Sequence, residues 1–304
     1  MYPSIETFPG VDTFPGGAQV VRDGETVVLW RGLALSGSTS YDDFMISALE
    51  GWEDLPPARE AFTAHPDSHG SFDAPVLSEP RRVVVSGTVF DEARRDALLA
   101  EIGRGMTFGG VLEPLTIVHA GRTLTVQARL TRYKPVNVAW GVGVWSWAAE
   151  WVAPDPVRYG LTEAYSTSLP VLRGGLEYPL HAGGDLEYGA ASTTGRVTVA
   201  NPGTADTWDV FWVRGPLPLG FTIMDVDTGR RLVFGQALPA GAELRIDTAR
   251  GNAGGVILDG TAARQLVVSE WAPVPAGGTV TWAFSAPTFD PVASMTVEHR
   301  PGWW

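Results

Sequence analysis

The chain has 304 residues, 44% of them hydrophobic, and a formal net charge of −12, which together favour a folded protein of about two domains. The acidic balance disfavours a nucleic-acid-binding protein, because phosphates are bound by Lys and Arg. Cysteine is absent, which excludes disulfides, zinc sites with Cys ligands and thiol catalysis.

The N-terminal segment shows no targeting signal. Its first residues, MYPSIETFPG, lack the basic region and the apolar core of a secretion signal, and nowhere do about 18 apolar residues run together. We therefore expect a soluble chain. ETFPGV and DTFPGG form a short duplication in which each Pro-Gly favours a turn. Two copies are too few for a repeat fold, so the segment is interpreted as an extended arm.

The next segments predict a strand, a long irregular region and a second strand. TVVLWRGLAL, which follows Gly24, has the apolar and β-branched composition of a strand. Residues 40–80 are expected to be irregular because prolines interrupt them repeatedly. Long loops in a compact domain are usually functional or ordered by a partner. RRVVVSGTVF then predicts a strand that continues directly into DEARRDALLAEIG.

DEARRDALLAEIG is the one segment that predicts a helix. Asp91 can cap its N-terminus and Gly103 supplies a stop. Apolar residues recur at helical spacing, at Ala93, Ala97, Leu98 and Ile102.

Three strand signals close the first half of the chain. LTIVHAGRTLTVQARLTRY predicts two strands joined by an Ala-Gly-Arg turn, and VGVWSWAAEWV predicts a third. In the third strand, alternation places Trp145, Trp147 and Trp151 on one face. The strand is expected to end near Val152, because prolines bracket Asp155 and Pro lacks the N–H that a sheet ladder needs.

The second half of the chain shows only β signals. They are GRVTVAN, TWDVFWVRG, FTIMDVDTGRRLVFG, AELRIDTARG, GGVILDG, QLVVSEW, GTVTWAFS and SMTVEHR. These segments are short, and turns such as Asn-Pro-Gly and Asp-Thr-Gly separate them. The pattern predicts an all-β sandwich or jelly roll.

No group of residues points to catalysis or to a cofactor. His65 and His69 could ligate a metal, but their spacing needs a helix, which Pro66 disfavours. DVDTG at Asp225 begins like a calcium loop yet lacks the distant glutamate, so a hairpin turn is favoured. GRGMTFGG follows the predicted helix instead of opening one, which disfavours a phosphate loop. We therefore predict no catalytic residue, no metal ligand, no cofactor and no enzymatic activity.

The tryptophans carry the most information about binding. Trp208 and Trp212 lie four residues apart on a predicted strand, so they share a face and could form a platform for a sugar. Tryptophan is also enriched between packed sheets and between subunits. We favour packing and subunit contact for most of them. The candidates for subunit contact are Trp145, Trp147, Trp303 and Trp304.

An ordered set of segments resembles one known family. EWVAPDPVRYG resembles the junction in distal tail proteins (Dit) of siphophages, where a strand passes through an aromatic residue and Pro-Asp-Pro into the C-terminal domain. Upstream, RRVVVSGTVFDEARRDALLAEI is similar to the family's strand and helix. The downstream segments that follow the family's order are VANPGTADTW, VRGPL, DTGRRL, LPAGAELRIDT, LDG and VPAGGTVTW. The resemblance covers residues 80–285.

This resemblance implies a mainly β fold in two domains. Residues 1–155 would form an N-terminal ring-forming domain, a β-sandwich or barrel-like structure with the arm, the Pro-rich loops and one α-helix. Residues 156–304 would form a C-terminal galectin-like β-sandwich. The implied junction residues are Trp151, Pro154, Asp155, Pro156 and Tyr159.

The resemblance also implies a structural role in the virion, as a minor tail protein. Six copies would form a homohexameric ring at the distal end of the tail, in the tail tip or baseplate, after assembly in the host cytoplasm. The ring would join the tail tube protein to the tail-associated tip protein. The tape measure protein and the DNA would pass through its channel, and an acidic channel would not bind DNA in transit.

Two other functions are open on the sequence alone. The chain could be a carbohydrate-binding module that attaches a virion or an enzyme to a glycan on the host surface, through Trp208 or Trp212. Its carboxylates could also include the acid pair of a tail-associated glycosidase, which is recognised by a separation of about 5 to 9.5 Å in space. Exposed tryptophans beside polar side chains would favour the first of these, and buried rings would favour the hub.

Overall fold

The computed structural model describes residues 26–31, 33–36, 44–59, 62–73, 75–90, 95–96, 100, 110–139, 144–171, 195–249 and 255–304. Strands dominate this part of the chain, and they pair antiparallel throughout. The predicted mainly β fold is confirmed. The predicted arm and most of the predicted helix at 91–103 lie outside the described residues. Three residues of that helix are described, Arg95, Asp96 and Ala100, and their backbone is helical.

The chain divides into two compact units. Unit 1 comprises Met1–Gly160 together with Trp304, and unit 2 comprises Leu161–Trp303. The strands up to Gly160 are β1 (Val27–Trp30), β2 (Leu33–Ser36), β3 (Phe44–Glu50), β4 (Ala58–Arg59), β5 (Thr63–Ala64), β6 (Ser71–Phe72), β7 (Leu77–Ser78), β8 (Arg81–Val89), β9 (Glu113–His119), β10 (Arg122–Ala139), β11 (Val144–Ala153) and β12 (Arg158–Tyr159). The strands of unit 2 are β13 (Glu163–Ser168), β14 (Arg196–Ala200), β15 (Val210–Arg214), β16 (Phe221–Asp225), β17 (Arg231–Phe234), β18 (Glu243–Asp247), β19 (Val256–Leu258), β20 (Ala262–Ala263), β21 (Val268–Ser269), β22 (Thr279–Ser285), β23 (Ser294–His299) and β24 (Gly302–Trp303).

Paired strands run through unit 1 in the order β2-β1-β9-β10-β11-β8-β3. The hairpin β1–β2 replaces the single strand predicted at TVVLWRGLAL. Trp30 pairs with Leu33 across the turn, and Arg31 has a left-handed φ of 51°. The prediction was wrong because apolar residues flank the turn on both sides, and one glycine in the sequence is its only turn signal.

β10 is the long central strand of unit 1, and it belongs to two ladders. Its residues 122–128 pair with β9, and its residues 129–139 pair with β11. Ala120 and Gly121 join β9 to β10 with φ angles of 49° and 73°, which confirms the tight turn predicted there. β10 continues through Pro135, well past the end of the segment that predicted it.

The tryptophan face of β11 lies in the core of unit 1. Trp147 is 3% exposed and Trp151 is 0% exposed, and inward and outward residues alternate along the strand, as predicted. The ring of Trp151 meets that of Trp30 edge to face, with 5.7 Å between ring centroids. Trp151 also pairs across the ladder with buried Val83 on β8. These large rings therefore build the centre of the unit.

The region predicted to be irregular, residues 40–80, is more ordered than its prolines suggested. Six of the seven residues of β3 pair with β8, and Ser47 forms a bulge between Ile46 and Ala48. The bulge breaks the alternation of FMISALE, which is why the strand escaped prediction. Beyond it, β4 pairs with β7 and β5 pairs with β6, so these four short strands are nested in the order of a hairpin, which we call the hairpin of residues 58–78.

The described strands β13 to β23 of unit 2 form two antiparallel sheets packed face to face. One has the strand order β13-β23-β15-β18-β19-β20 and the other β14-β22-β16-β17-β21. Phe211, Ile246 and Val297 of the first sheet share one hydrophobic core with Ile223 and Phe284 of the second. This sandwich agrees with the β pattern of the second half of the sequence. Its assignment as galectin-like stays a prediction, as does that of unit 1 as a ring domain.

Two turn predictions in unit 2 can be compared with the structure. DVDTG joins β16 to β17, and the Asp225 carboxylate accepts hydrogen bonds from Asp227 N at 3.0 Å and Thr228 Oγ1 at 2.5 Å. The predicted hairpin turn is thus confirmed. In the Asn-Pro-Gly turn, buried Asn201 donates to Ala205 O at 2.8 Å and accepts from Gly203 N at 3.0 Å. The asparagine therefore closes the turn through its own side chain.

Candidate functional site

The Pro-Asp-Pro segment forms an inserted turn between two strands that follow one edge of β10. β11 ends at Ala153, close to the predicted end, and Val152 pairs with Arg129. β12 then returns to the same strand, where Tyr159 pairs with Thr125. From Val152 to Tyr159 the chain advances seven residues, whereas their partners on β10, Arg129 and Thr125, are only four residues apart. The three extra residues are accommodated by the turn at residues 154–156.

Asp155 holds this turn together. Its Oδ1 accepts a hydrogen bond from Val157 N at 3.1 Å, and its Oδ2 accepts one from the Tyr159 hydroxyl at 2.8 Å. The carbonyl of Pro156 accepts a hydrogen bond from Arg81 Nε at 2.7 Å. The turn is therefore held by the exposed Asp155 carboxylate and by the buried Arg81 guanidinium.

Arg81 is the central polar residue of this region. It is 1% exposed, and its Nη1 donates to the carbonyls of Gly51, Trp52 and Asp54 at 2.8 to 2.9 Å. Burial, and secondarily the nearby charge of Arg158, lower the pKa of Arg81 to about 10. The guanidinium therefore ties residues 51–54 to the Pro-Asp-Pro turn through main-chain oxygens.

Arg158 adds a second buried cation beside Arg81. It is 5% exposed and forms an ion pair of 2.9 Å with Glu53. Its guanidinium lies 5.5 Å from the ring centre of Trp52 and donates to the carbonyl of Trp304. These contacts bind structural elements together and include no nucleophile or general base. Asp155, Pro156 and Tyr159 take part in the hydrogen bonds of this turn, whereas Trp151 packs in the core against Trp30. The role of these residues and of Pro154 at a domain junction stays a prediction.

The predicted contact tryptophans differ in what they expose. Trp145 is half-buried, with the Arg95 guanidinium 4.8 Å from its ring centre. Trp147 is buried within unit 1. Trp303 is half-buried in β24, and Trp304 is 37% exposed. Trp145, Trp303 and Trp304 therefore keep some accessible ring surface whereas Trp147 does not, and subunit contact stays a prediction for all four.

Trp212 lies on the outer face of the first sheet of unit 2. β15 alternates buried and accessible residues, and Trp212 is half-buried between buried Phe211 and Val213. Its cross-strand neighbours are Arg245 on β18 and Thr296 on β23. Trp208 is also half-buried and precedes β15, which begins at Val210. Burial alternates from Ala205 to Arg214, with Trp208 and Trp212 both at accessible positions, and their shared platform stays a prediction.

A buried polar cluster in unit 2 escaped the sequence analysis. Asp209 Oδ1 lies 2.7 Å from His299 Nδ1, and its Oδ2 accepts a hydrogen bond from Trp282 Nε1 at 2.7 Å. The side chains of Asp209 and His299 are 0% exposed, and among the described residues His299 Nε2 has no hydrogen-bond partner. An Asp-His pair sealed in this way has no nucleophile to activate, so it supports the core.

The remaining predicted sites show no catalytic or metal arrangement in the described residues. His65 and His69 belong to the hairpin of residues 58–78, and the ring of His65 packs 4.2 Å from that of Phe72. Within the described ranges, no group of three or more His, Asp or Glu could hold a metal ion. No helix in the same ranges has the length and hydrophobicity to cross a membrane.

Comparisons with known proteins give a match in structure alone. No protein-family model matches the sequence, and no curated protein matches it either. The crystal structure of the SPP1 Dit protein matches with a TM-score of 0.60 and 11% sequence identity, over 92% of this chain and 99% of that one. The chain has the fold of a Dit protein. The resemblance to Dit that was predicted from the sequence is confirmed at the level of the fold.

The SPP1 Dit protein is described as a paradigm of the hub adsorption apparatus in phages that infect Gram-positive hosts. Chains of the phage P2 baseplate in its activated conformation also match, with Ca or with Sr, at TM-scores of 0.45 and 0.46. They are 8% identical and cover 90% of this chain and 97% of their own. Because the Dit match spans nearly the whole of both chains, both units take part in the likeness.

Proposed function

We propose that this protein is a structural hub at the distal end of a phage tail. The observation that carries the proposal is the Dit fold, shared over 92% of this chain and 99% of the SPP1 protein. A shared fold does not by itself show a shared function, because function depends on the residues at the protein surface. The proposal therefore depends on surfaces that suit assembly with other chains.

The hairpin of residues 58–78 and its flanks offer one such surface. Its strands are exposed on both faces, and a two-stranded ribbon in water is marginally stable by itself. Large apolar side chains along it are each more than half exposed, namely Leu55, Phe62, Phe72, Val76 and Leu77. Clustered exposed apolar residues mark contact sites. We assign this hairpin to contact between neighbouring copies in a ring.

One end of the unit 2 sandwich offers another apolar surface. Loop 215–220 joins β15 to β16, and loop 286–293 joins β22 to β23. Because β15 pairs with β23 and β16 pairs with β22, the two loops cross the same end side by side. Leu219, Phe289 and Val292 on these loops are each more than half exposed. This end suits attachment of another tail protein.

The ring would be a homohexamer built by unit 1. The tail tube protein and the tip protein would dock on its two sides, and the tape measure protein and DNA would pass through the channel. The net charge of −12 supports this route, because an acidic channel repels phosphates. A ring whose channel is lined mainly by basic residues would contradict this part of the proposal.

The first test is the native mass of the purified chain, followed by negative-stain images of the same peak. We expect a mass of six times 32.5 kDa and a sixfold ring with a central hole. A chain that stays monomeric at its highest soluble concentration contradicts self-assembly.

A pair of matched variants tests which surface builds the ring. Phe62→Ser with Phe72→Ser removes two apolar side chains from the hairpin, and Leu219→Ser with Phe289→Ser removes two from the end of unit 2. We expect the hairpin variant to remain monomeric and the unit 2 variant to form rings. Rings of equal stability in both variants would remove the hairpin from the contact.

A further inference from the structure

The outer face of the first sheet of unit 2 places one aromatic ring among hydrogen-bonding side chains. A row of cross-strand partners runs through Ser166, Thr296, Trp212, Arg245 and Ile257. Trp212 stands in the middle of this row, and it is the one aromatic side chain at the outward positions of the described strands of this sheet. An amphipathic ring thus lies at the centre of a polar face.

The ring of Trp212 is fixed but incompletely covered. Its Nε1 is buried without a hydrogen-bond partner among the described residues, so the N–H edge of the indole faces the protein. The Arg245 guanidinium lies 5.7 Å from the ring centre, near the limit of about 6 Å for a cation–π contact. The ring nevertheless keeps some accessible surface, because Trp212 is only half-buried. The half-buried ring therefore offers an apolar surface beside a cation.

The polar groups around the ring are held in place by one another. Arg245 pairs with Asp247 at 2.7 Å, and Arg214 pairs with Glu243 at 2.7 Å. On the other side, the hydroxyls of Ser166 and Thr296 lie 2.8 Å apart. Donors and acceptors fixed before binding lose little side-chain entropy when a ligand arrives. The face is therefore preorganised for a ligand that combines hydroxyl groups with apolar C–H surface.

We propose that this face is a carbohydrate-binding site, in which a neutral pyranose stacks on Trp212 and its hydroxyls bond to Arg245 and Thr296. Sugars are the ligand class with this chemistry, because one face of a pyranose ring is apolar and its rim is hydroxylated. The carboxylates of Glu243, Asp247 and Glu298 outnumber the two arginines of the face, and the whole chain is acidic. An anionic glycan is therefore disfavoured. This inference does not depend on the hub role.

The test uses the full chain and saturation-transfer NMR with neutral oligosaccharides of glucose, galactose and rhamnose, with sialyllactose as the anionic comparison. We expect the parent chain to bind at least one neutral sugar with millimolar affinity, about the level of one shallow stacking site. Trp212→Ala should weaken binding at least tenfold, whereas Trp212→Phe should keep part of it. No neutral binding by the parent, or a preference for sialyllactose, overturns the proposal.

A matched pair of threonine variants guards against loss of folding. The outer face of the second sheet carries a similar hydroxyl pair, Thr198 and Thr281, 3.0 Å apart. Thr296→Ala should weaken binding about threefold, and Thr281→Ala should leave it unchanged. If Trp212→Ala does not fold, sugar binding by Trp212→Phe and Thr296→Ala tests the site instead. Unchanged sugar binding in both Trp212→Phe and Thr296→Ala overturns the site and leaves the ring experiments unaffected.

Discussion

Arg81 shows how a single buried side chain can hold distant parts of a chain together. Its guanidinium joins the carbonyls of residues 51, 52 and 54 to that of Pro156, which is 75 positions away in sequence. All four acceptors are main-chain oxygens, so the arrangement depends on this cation and on no particular neighbouring side chain. Removing it would leave several carbonyls without partners in a dry environment.

Arg81→Ala should lower the free energy of unfolding of the first unit by about 3 to 5 kcal/mol, because it leaves several main-chain carbonyls in the protein interior without hydrogen-bond donors. Urea denaturation followed by tryptophan fluorescence measures the change. Arg82→Ala is the control, since the Arg82 side chain is 70% exposed and forms a surface ion pair with Glu150. A loss below about 1 kcal/mol for Arg81→Ala would contradict the importance given to its carbonyl contacts.

The buried pair of Asp209 and His299 gives a prediction about tautomers. In Asp209→Asn, the new amide can still accept from Trp282 Nε1 and can donate to His299 Nδ1. The histidine proton then moves to Nε2, which is buried without a partner among the described residues. We expect a cost of about 1 to 3 kcal/mol, against about 2 to 5 for Asp209→Ala, which leaves two donors unpaired.

The same urea denaturation measures both Asp209 variants. Asp227→Asn, in an exposed turn of the same unit, should change stability by no more than about 0.5 kcal/mol. Equal losses for the asparagine and alanine variants would contradict the hydrogen bonds that the asparagine is expected to form with Trp282 and His299.

Residues of this kind mark the limit of prediction from the sequence. Alternation along one strand was enough to place Trp147 and Trp151 on a common face. The roles of Arg81 and Asp209 could not be predicted from the local sequence. Their partners Pro156 and His299 lie 75 and 90 positions away. Trp212 was singled out as a platform residue, but its polar neighbours come from other strands.

At the scale of elements, most strands of the second unit could be predicted and several features of the first could not. Segments such as GRVTVAN and GTVTWAFS are short, alternate cleanly and end at turn residues, so β14 and β22 follow from pattern alone. In the first unit a bulge disguised β3, and a turn inside an apolar run disguised the hairpin of β1 and β2. Both strand predictions failed because the bulge and the turn interrupt the alternation of inward and outward residues.

The turn between β11 and β12 supplies a prediction about this element. Asp155→Ala removes both hydrogen bonds that fix residues 154–156, to Val157 N and to the Tyr159 hydroxyl. We expect amide exchange in residues 154–160 to become about tenfold faster, as the short strand β12 loses its support. Hydrogen exchange with mass spectrometry measures it. Tyr159→Phe removes only one of the two bonds and should give a smaller effect, and the reverse order would contradict this account.

At the scale of the whole molecule, the likeness to the SPP1 Dit protein extends over both units although 11% of residues are identical. Very different side chains therefore build the same arrangement of strands. The ordered set of turn and strand segments gave the resemblance, because Gly, Pro, Asn and Asp at turns are tied to backbone shape. The galectin-like character of the second unit and the ring-forming character of the first stay predictions.

Net charge leads to a prediction for assembly. Copies that each carry a charge of −12 repel one another, and salt screens that repulsion. We expect rings to form at lower protein concentration in 0.5 M than in 0.05 M NaCl, roughly three- to tenfold, as native mass measurements at both salt levels would show. Rings that dissociate as salt is raised would indicate that ion pairs between copies hold them.

The 18-residue strand β10 also determines how the first unit comes apart. Its residues 122–128 pair with β9 and its residues 129–139 pair with β11, so one continuous strand belongs to both ladders. We expect this shared strand to couple the stabilities of the two ladders. We expect unit 1 to unfold in a single cooperative step. A substitution that destabilises the β9 ladder should therefore also destabilise the β11 ladder.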